Sequence, residues 1–459
     1  MFNKETYIAR RAKLKNDVGS GVLLFIGNDE SGMNYADNTY HFRQDSTFLY
    51  FFGQPYANLA AVIDIDNNRE IIFGDELTID SIVWMGVQPT LREKSAAAGI
   101  TEVRPYTELA SYLANATKHY QTIHYLPPYR PEHQIKLLQW LGVMPGFEKP
   151  SLPFIMGVIN QRIYKSEEEI AEIEKACNVT AEMHLAAMRK VKVGATEAEV
   201  AAAVEQAAKR HNYELSFPTI ATINGQTLHN HVHSNTIKSG DMLLLDAGAE
   251  TEMGYAGDMS STIPADDKFT QRQRDVYDIQ VASHETAVAA LRPGIPFKEV
   301  YERTLKVIYD GMKNLGLAKG DTDEAVAAGA AAMFMPHGLG HMMGLDVHDM
   351  ENLGEELVGY DGEPKSTQFG RKSLRLARPL KEGFVFTIEP GVYFIPELMD
   401  KWKAEGQFTD FINYDKLFTY KDFGGIRNEE DYLIIPGGAR RLGKKIPLHA
   451  EDVEAAKKS

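Results

Sequence analysis

The sequence predicts an α+β fold, with a larger domain over residues 165–459 preceded by a smaller α/β domain over residues 1–160. Three observations predict it. At 459 residues the chain exceeds what one ordinary core organises, so two domains or more are expected. Residues 1–160 alternate short apolar runs with helical patterns. Beyond them, apolar runs that end in acids are joined by short turns, the pattern of antiparallel strands set among helices.

In the first domain, residues 21–26, 60–65 and 70–73 read as buried strands, and helical patterns follow near 88–98, 106–118 and 131–142. The proline-bearing passage at 149–154 reads as the connection onward. Ser166 with Glu169 forms a capping box opening a long helix that carries Ile170, Ile173 and Cys177 on one face. Thr196 with Glu199, and Thr270 with Gln273, repeat that signature. Strands are expected at 241–249, 254–263, 384–389 and 430–435, and no solenoid period is visible.

The composition excludes several functions. With 49 Lys and Arg against 64 Asp and Glu, the net charge of −15 argues against nucleic acid and anionic membrane as partners. Cys177 is the only cysteine, so no intrachain disulfide forms and a reducing compartment fits. Its helical neighbours make it a buried, inert thiol. No apolar run reaches membrane-spanning length, and the amino terminus lacks the apolar core of a secretion signal, so a cytoplasmic location is expected.

The chemistry concentrates in the second half. Residues 241–246 form an apolar run ending in Asp246, and a short turn leads to a second run with Asp258 at its centre. A hairpin brings two such acids onto one face. His337, His341 and His348 fall within a glycine-rich segment that argues against a plain helix. Glu389 ends another apolar run at a Pro-Gly turn, and Glu429 follows Arg427 by two positions, on one face of a strand. Arg427 is thereby expected to brace acidic ligands, whereas Glu430 and Asp431 are solvated by default. Four carboxylates and an imidazole, Asp246, Asp258, His341, Glu389 and Glu429, repel unless they protonate or hold cations. Two adjacent metal ions suit that set, and such a pair sharing a water is a hydrolytic site.

These motifs, in this order and over nearly the whole chain, resemble those of the creatinase-like "pita-bread" metallopeptidases, the family of aminopeptidase P, prolidase and methionine aminopeptidase. The resemblance implies a pita-bread domain in which those five residues bind a dinuclear centre. It also implies active-site roles for His229, His337 and His348. Two departures stand out: the turn between Asp246 and Asp258 is one residue longer than usual, and Ser261 stands where relatives often carry arginine. Residues 41–51, His-Phe-Arg-Gln-Asp-Ser-Thr-Phe-Leu-Tyr-Phe, look like the amino-terminal domain shared by aminopeptidase P and prolidase. In those relatives this domain reaches a neighbouring subunit's active site. That implies a homodimer or homotetramer, with Asp37 and Trp84 at the substrate. Read without the resemblance, Trp84 is core and Asp37 a loop cap.

The reaction so implied is hydrolysis of the bond between a first residue and a following proline, in a peptide or dipeptide substrate. Glu389 is the expected proton shuttle, His229 stabilises the oxyanion, and His348 orients the carbonyl or the proline side. The oxygen-rich ligand set favours Mn(2+), accepts Co(2+) or Fe(2+), and suits zinc less. Arg375 matches the arginine that prolidases place on a dipeptide's carboxylate, while Arg378 reads as a surface residue. The expectation is therefore a proline dipeptidase. Alternatives are an aminopeptidase P acting on longer peptides, a metal-free enzyme on the same fold, and a non-catalytic binding protein.

Overall fold

In the computed structural model, which describes residues 1–458, the apolar runs of the first part become a mixed five-stranded sheet. Its strands are β1 (Val22–Ile26), β2 (Ala60–Asp64), β3 (Arg69–Phe73), β4 (Glu102–Arg104) and β5 (Ile123–His124), in the order β4-β3-β2-β1-β5. The pairs β3–β4 and β1–β5 are parallel, and parallel neighbours need long crossovers. Helices lie within them. In Leu109–Lys118, Leu109, Leu113 and Ala116 recur at helical spacing and bury against Val22, Val62, Ile71 and Phe73.

The described residues form two compact units, 1–162 and 163–458. Several local expectations change in the first. The pattern at 88–98 forms only the helix Leu91–Ala97, capped by Thr90 and Glu93, and that at 106–118 opens with a 3-10 turn. The passage at 149–154 is no simple link. It starts the helix Leu152–Arg162, where Pro153 sits in the first turn and costs no intrahelical hydrogen bond, and that helix packs on Lys4–Val18. An unforeseen helix, Ile79–Met85, buries none of its residues, and Trp84 is 87% exposed rather than core.

The second unit is α+β. Its helices Glu167–Lys190, Glu197–Lys209 and Gln271–Ala290 each begin with the capping box read from the sequence. The strands are β6 (Glu214–Leu215), β7 (Ile220–Thr222), β8 (Met242–Ala247), β9 (Ala249–Glu250), β10 (Met259–Pro264), β11 (Val385–Ile388), β12 (Gly391–Tyr393), β13 (Gly425–Arg427), β14 (Glu430–Ile435) and β15 (Gly438–Arg441). Two antiparallel sheets, β10-β8-β7 and β11-β14-β15, each follow a packed helix pair, Glu167–Lys190 with Glu197–Lys209 and Gln271–Ala290 with Phe297–Asn314. The order of elements, a helix pair and then an antiparallel sheet, recurs although the sequence shows no period. Among the described residues no helix is long and apolar enough to cross a membrane.

Candidate metal centre and active site

The β8–β10 hairpin sets the first two acids. Its register pairs Ser260 with Asp246 and Met259 with Ala247, so Asp258 lies two positions from the partner of Asp246 and shares its face. Asp258 precedes β10 rather than sitting at its centre, and its N–H donates to Asp431 at 3.1 Å instead of joining the ladder. The crossing is tight: a Cβ on Gly248 would lie 1.9 Å from the Gly257 carbonyl oxygen, so no larger residue fits.

β11 sets the next two candidate ligands. The glycine-rich segment is extended and pairs with it, Met342 opposite Phe386, with Thr387 N–H donating to the His341 carbonyl at 3.0 Å. Gly340 allows that approach, since a Cβ there would lie 2.0 Å from the Thr387 carbonyl oxygen. Glu389 N–H donates to the Leu339 carbonyl at 2.9 Å, which carries its side chain towards His341. Glu429 is fixed to the hairpin by its own N–H on the Ser260 carbonyl, 3.0 Å, and by the Ser260 hydroxyl on its Oε2, 2.7 Å.

All five residues line one cavity of 420 Å³. Atoms of Asp258, His341 and Glu429 that could ligate a cation fall within 4.8 Å of one another. His341 Nδ1 donates to the Met342 carbonyl at 3.1 Å, so its neutral ring turns the Nε2 lone pair towards Asp258 Oδ2 at 3.4 Å and Glu389 Oε1 at 3.8 Å. Lone pairs facing lone pairs need a proton or a cation between them. Asp246 Oδ1 and Asp258 Oδ1 are buried without a hydrogen-bond partner among the described residues. Burial first, then mutual repulsion, pushes the Asp258 and Glu429 carboxyls well above the usual range. Burial also raises Glu389. The donor set fits a pair of divalent cations.

Arg427 offsets part of this charge. Its guanidinium donates from Nη2 to Asp246 at 2.6 Å, from Nε to the Ser260 hydroxyl at 3.0 Å and from Nη1 to the Tyr393 hydroxyl at 2.8 Å. Tyr393 in turn donates to His337 Nε2 at 2.9 Å, because His337 Nδ1 is committed to the Gly338 carbonyl at 2.7 Å. Burial, then Arg427, pushes His337 down to about 3, so it stays neutral 3.7 Å from Glu389.

The His348 ring lies tilted against that of His341, with ring centres 4.0 Å apart, and donates from Nδ1 to Glu351 at 2.6 Å. Burial, His341 and Arg375 push it down to about 2. His229 and His231 line the cavity from a loop whose ends are both held by buried Glu197, through the N–H groups of Ile223 and Asn235. Arg375 lines it too, with Nη1 on Glu351 and Glu355. Asp37 and Trp84 are exposed on the first unit, and every residue lining the cavity comes from the second.

Three sequence expectations are corrected. Arg378 is buried, donating to the Val358 carbonyl at 3.1 Å and pairing with Asp361 at 2.8 Å. Glu430 and Asp431 are buried, because β14 is the central strand of its sheet and packs beneath the centre. Asp431 accepts from Asp258 N–H and from the Cys177 thiol at 3.1 Å, and burial pushes it up to about 7. Glu430 accepts from the Tyr432 hydroxyl at 2.9 Å and lies 3.5 Å from Arg441. Ser261 has an occupation after all: its hydroxyl lies 2.9 Å from Nδ1 of buried His184, whose Nε2 donates to the Ala247 carbonyl at 3.2 Å. Sequence reasoning missed Tyr393, Ser260, Glu351 and His231. Only Glu351, an acid three positions beyond His348, left a usable signal.

Residues 171–436 match metallopeptidase family M24, and residues 7–124 match the aminopeptidase P N-terminal domain. Human Xaa-Pro dipeptidase is 28% identical over 99% of this chain and 92% of its own length. The Escherichia coli Xaa-Pro aminopeptidase is 28% identical over 99% of this chain and 98% of its own. Among solved structures, zinc-substituted Escherichia coli aminopeptidase P in complex with product superimposes with a TM-score of 0.81 at 27% identity, covering 100% of this chain and 98% of that one. The Yersinia pestis proline aminopeptidase P II gives 0.82 at 26% identity, covering 100% of both. The fold is the pita-bread α+β type with a smaller α/β domain ahead of it.

Proposed function

The chain belongs to metallopeptidase family M24, and we propose that it hydrolyses the bond between a first residue and a following proline, preferring Xaa-Pro dipeptides. Residues 1–160 then act as the amino-terminal domain and 165–459 as the catalytic domain. Asp246, Asp258, His341, Glu389 and Glu429 hold two divalent ions, for which their oxygen-rich set favours manganese over zinc. Bound there, the ions would lower the pKa of a water to near neutrality and polarise the scissile carbonyl.

The chain's own groups do the rest. Glu389, its carboxyl raised by burial, takes a proton from the attacking water and delivers it to the proline nitrogen as the bond breaks. Arg427 keeps Asp246 in place, and burial together with Arg427 keeps His337 neutral. His229, on the cavity wall, donates to the oxyanion. His348 gives its N–H to Glu351 and so offers the substrate a lone pair, which suits the proline nitrogen once protonated better than the carbonyl.

Arg375 carries the preference for dipeptides. Its Nη1 is anchored on two acids, while Nε and Nη2 have no hydrogen-bond partner among the described residues and are available to a terminal carboxylate. Assembly as a homodimer or homotetramer in the cytoplasm belongs to the same reading, supported by the exposed apolar helix Ile79–Met85 and the lone, reduced cysteine. The test is turnover after chelation and restoration with manganese. Ala-Pro should be cleaved faster than Ala-Pro-Ala-Ala, and only by metal-restored protein. Efficient cleavage of the longer peptide turns the reading to an aminopeptidase P, which likeness to the Escherichia coli enzyme supports. Turnover indifferent to chelation defeats the metal mechanism.

A further inference from the structure

We propose that Glu351 is the positioning residue that makes the site select a terminal proline, by holding His348 and Arg375 on one carboxylate. The inference rests on the dipeptidase reading above. Glu351 opens the 3-10 turn Glu351–Leu353, three positions beyond His348. Its Oε2 accepts from His348 Nδ1 at 2.6 Å, and its Oε1 accepts from Arg375 Nη1. A carboxylate ionised beside a guanidinium has no proton to give. The imidazole must therefore carry its own proton on Nδ1, which leaves Nε2 as an acceptor.

Arg375 is tied a second time. Glu355 accepts from the same Nη1 at 3.0 Å and is itself paired with Lys365. The guanidinium is thus held by one nitrogen, and its Nε and Nη2 edge remains the fork that grips a carboxylate bidentately. In an Xaa-Pro dipeptide one carbon separates the proline nitrogen from the carboxylate. The two groups need an acceptor and a fork whose separation does not drift, and Glu351 fixes each to the other. A longer peptide offers a neutral amide where the fork expects charge. Glu351 is 34% exposed at the side chain, so as a mere ion pair it contributes little to stability and its removal leaves the fold intact.

The experiment compares Ala-Pro with Ala-Pro-amide on manganese-loaded enzyme. Glu351→Ala should lower kcat on both substrates through His348, and should raise KM about tenfold on Ala-Pro alone through Arg375. Glu351→Gln keeps an acceptor for His348 but loses the charge facing Arg375. It should recover kcat and leave the Ala-Pro KM high. In Arg375→Ala, adding Glu351→Ala should raise the Ala-Pro KM no further. If KM rises equally on both substrates in Glu351→Ala, or on neither, the positioning role is wrong. If the wild-type enzyme itself does not prefer Ala-Pro to its amide, the dipeptidase reading fails instead, and this inference with it.

Discussion

In the first unit, the buried charges of Arg11, Lys136 and Asp64 are answered by an opposite charge or by hydrogen bonds. Arg11, wholly buried, donates to Glu70 at 2.8 Å and to the carbonyls of Phe51 and Ala98 at 2.8 and 2.9 Å. Lys136 meets Asp29 at 2.7 Å. Burial alone would raise Asp64, yet hydrogen bonds from Tyr112, Asn67 and Gln121 carry it below its usual value. In the second unit, Asp258, Glu389 and Glu429 are raised by the same burial and stay raised, since their nearest charged neighbours include one another. Buried charge that is answered inside the chain holds structure, and buried charge left over marks where a ligand belongs.

The comparison breaks most visibly at Asp258. Asp258→Asn should cut Ala-Pro turnover at least about a thousandfold and lower bound manganese, yet stabilise the metal-free protein by relieving repulsion. Asp64→Asn should do the reverse, destabilising while keeping metal content. Elemental analysis with thermal melts of the chelated proteins measures both, and an Asp258→Asn protein that melts earlier than wild type removes the contrast. Next in size is Arg11→Ala, which leaves two buried carbonyls without their donor and Glu70 with Lys15 as its one remaining charge partner. It should cost about 3–5 kcal/mol in urea unfolding with unchanged turnover per folded molecule.

Acid separates the units more gently. His184 and His284 in the second unit and His133 in the first are pushed down to about 4, burial being the largest cause in each. An unfolded imidazole takes its proton near 6.5, so the unfolded chain binds more protons between those values. Stability present above 6.5 is lost as pH falls through that window, by up to about 2 kcal/mol per imidazole at pH 5. The second unit holds more such groups, His337 and His348 among them, so amide protection corrected for intrinsic exchange rate should fall further there than in the first unit between pH 7 and pH 5. Equal changes in both units would leave these imidazoles without a measurable part.

Much of the fold is legible in local signals, because capping boxes and apolar runs are short-range physics. The three boxes at Ser166, Thr196 and Thr270 open helices as read, and the acids at the ends of apolar runs do meet in one cavity. What escapes is set by tertiary packing. Nothing around Asp431 or Arg378 announces burial, since their partners lie elsewhere in the chain: Cys177 is 254 positions from Asp431. Tyr393 looks like an ordinary strand aromatic until Arg427 and His337 converge on its hydroxyl. Trp84 fails the other way, being apolar and yet exposed.

The chain's one thiol lies sealed beneath the backbone of Asp258, sharing a carboxylate with it. An oxidant or alkylating reagent reaches that sulfur only when the packing around it opens, and no other cysteine competes for it. The molecule therefore carries its own stopwatch for how often that packing opens, readable without a label or an engineered residue.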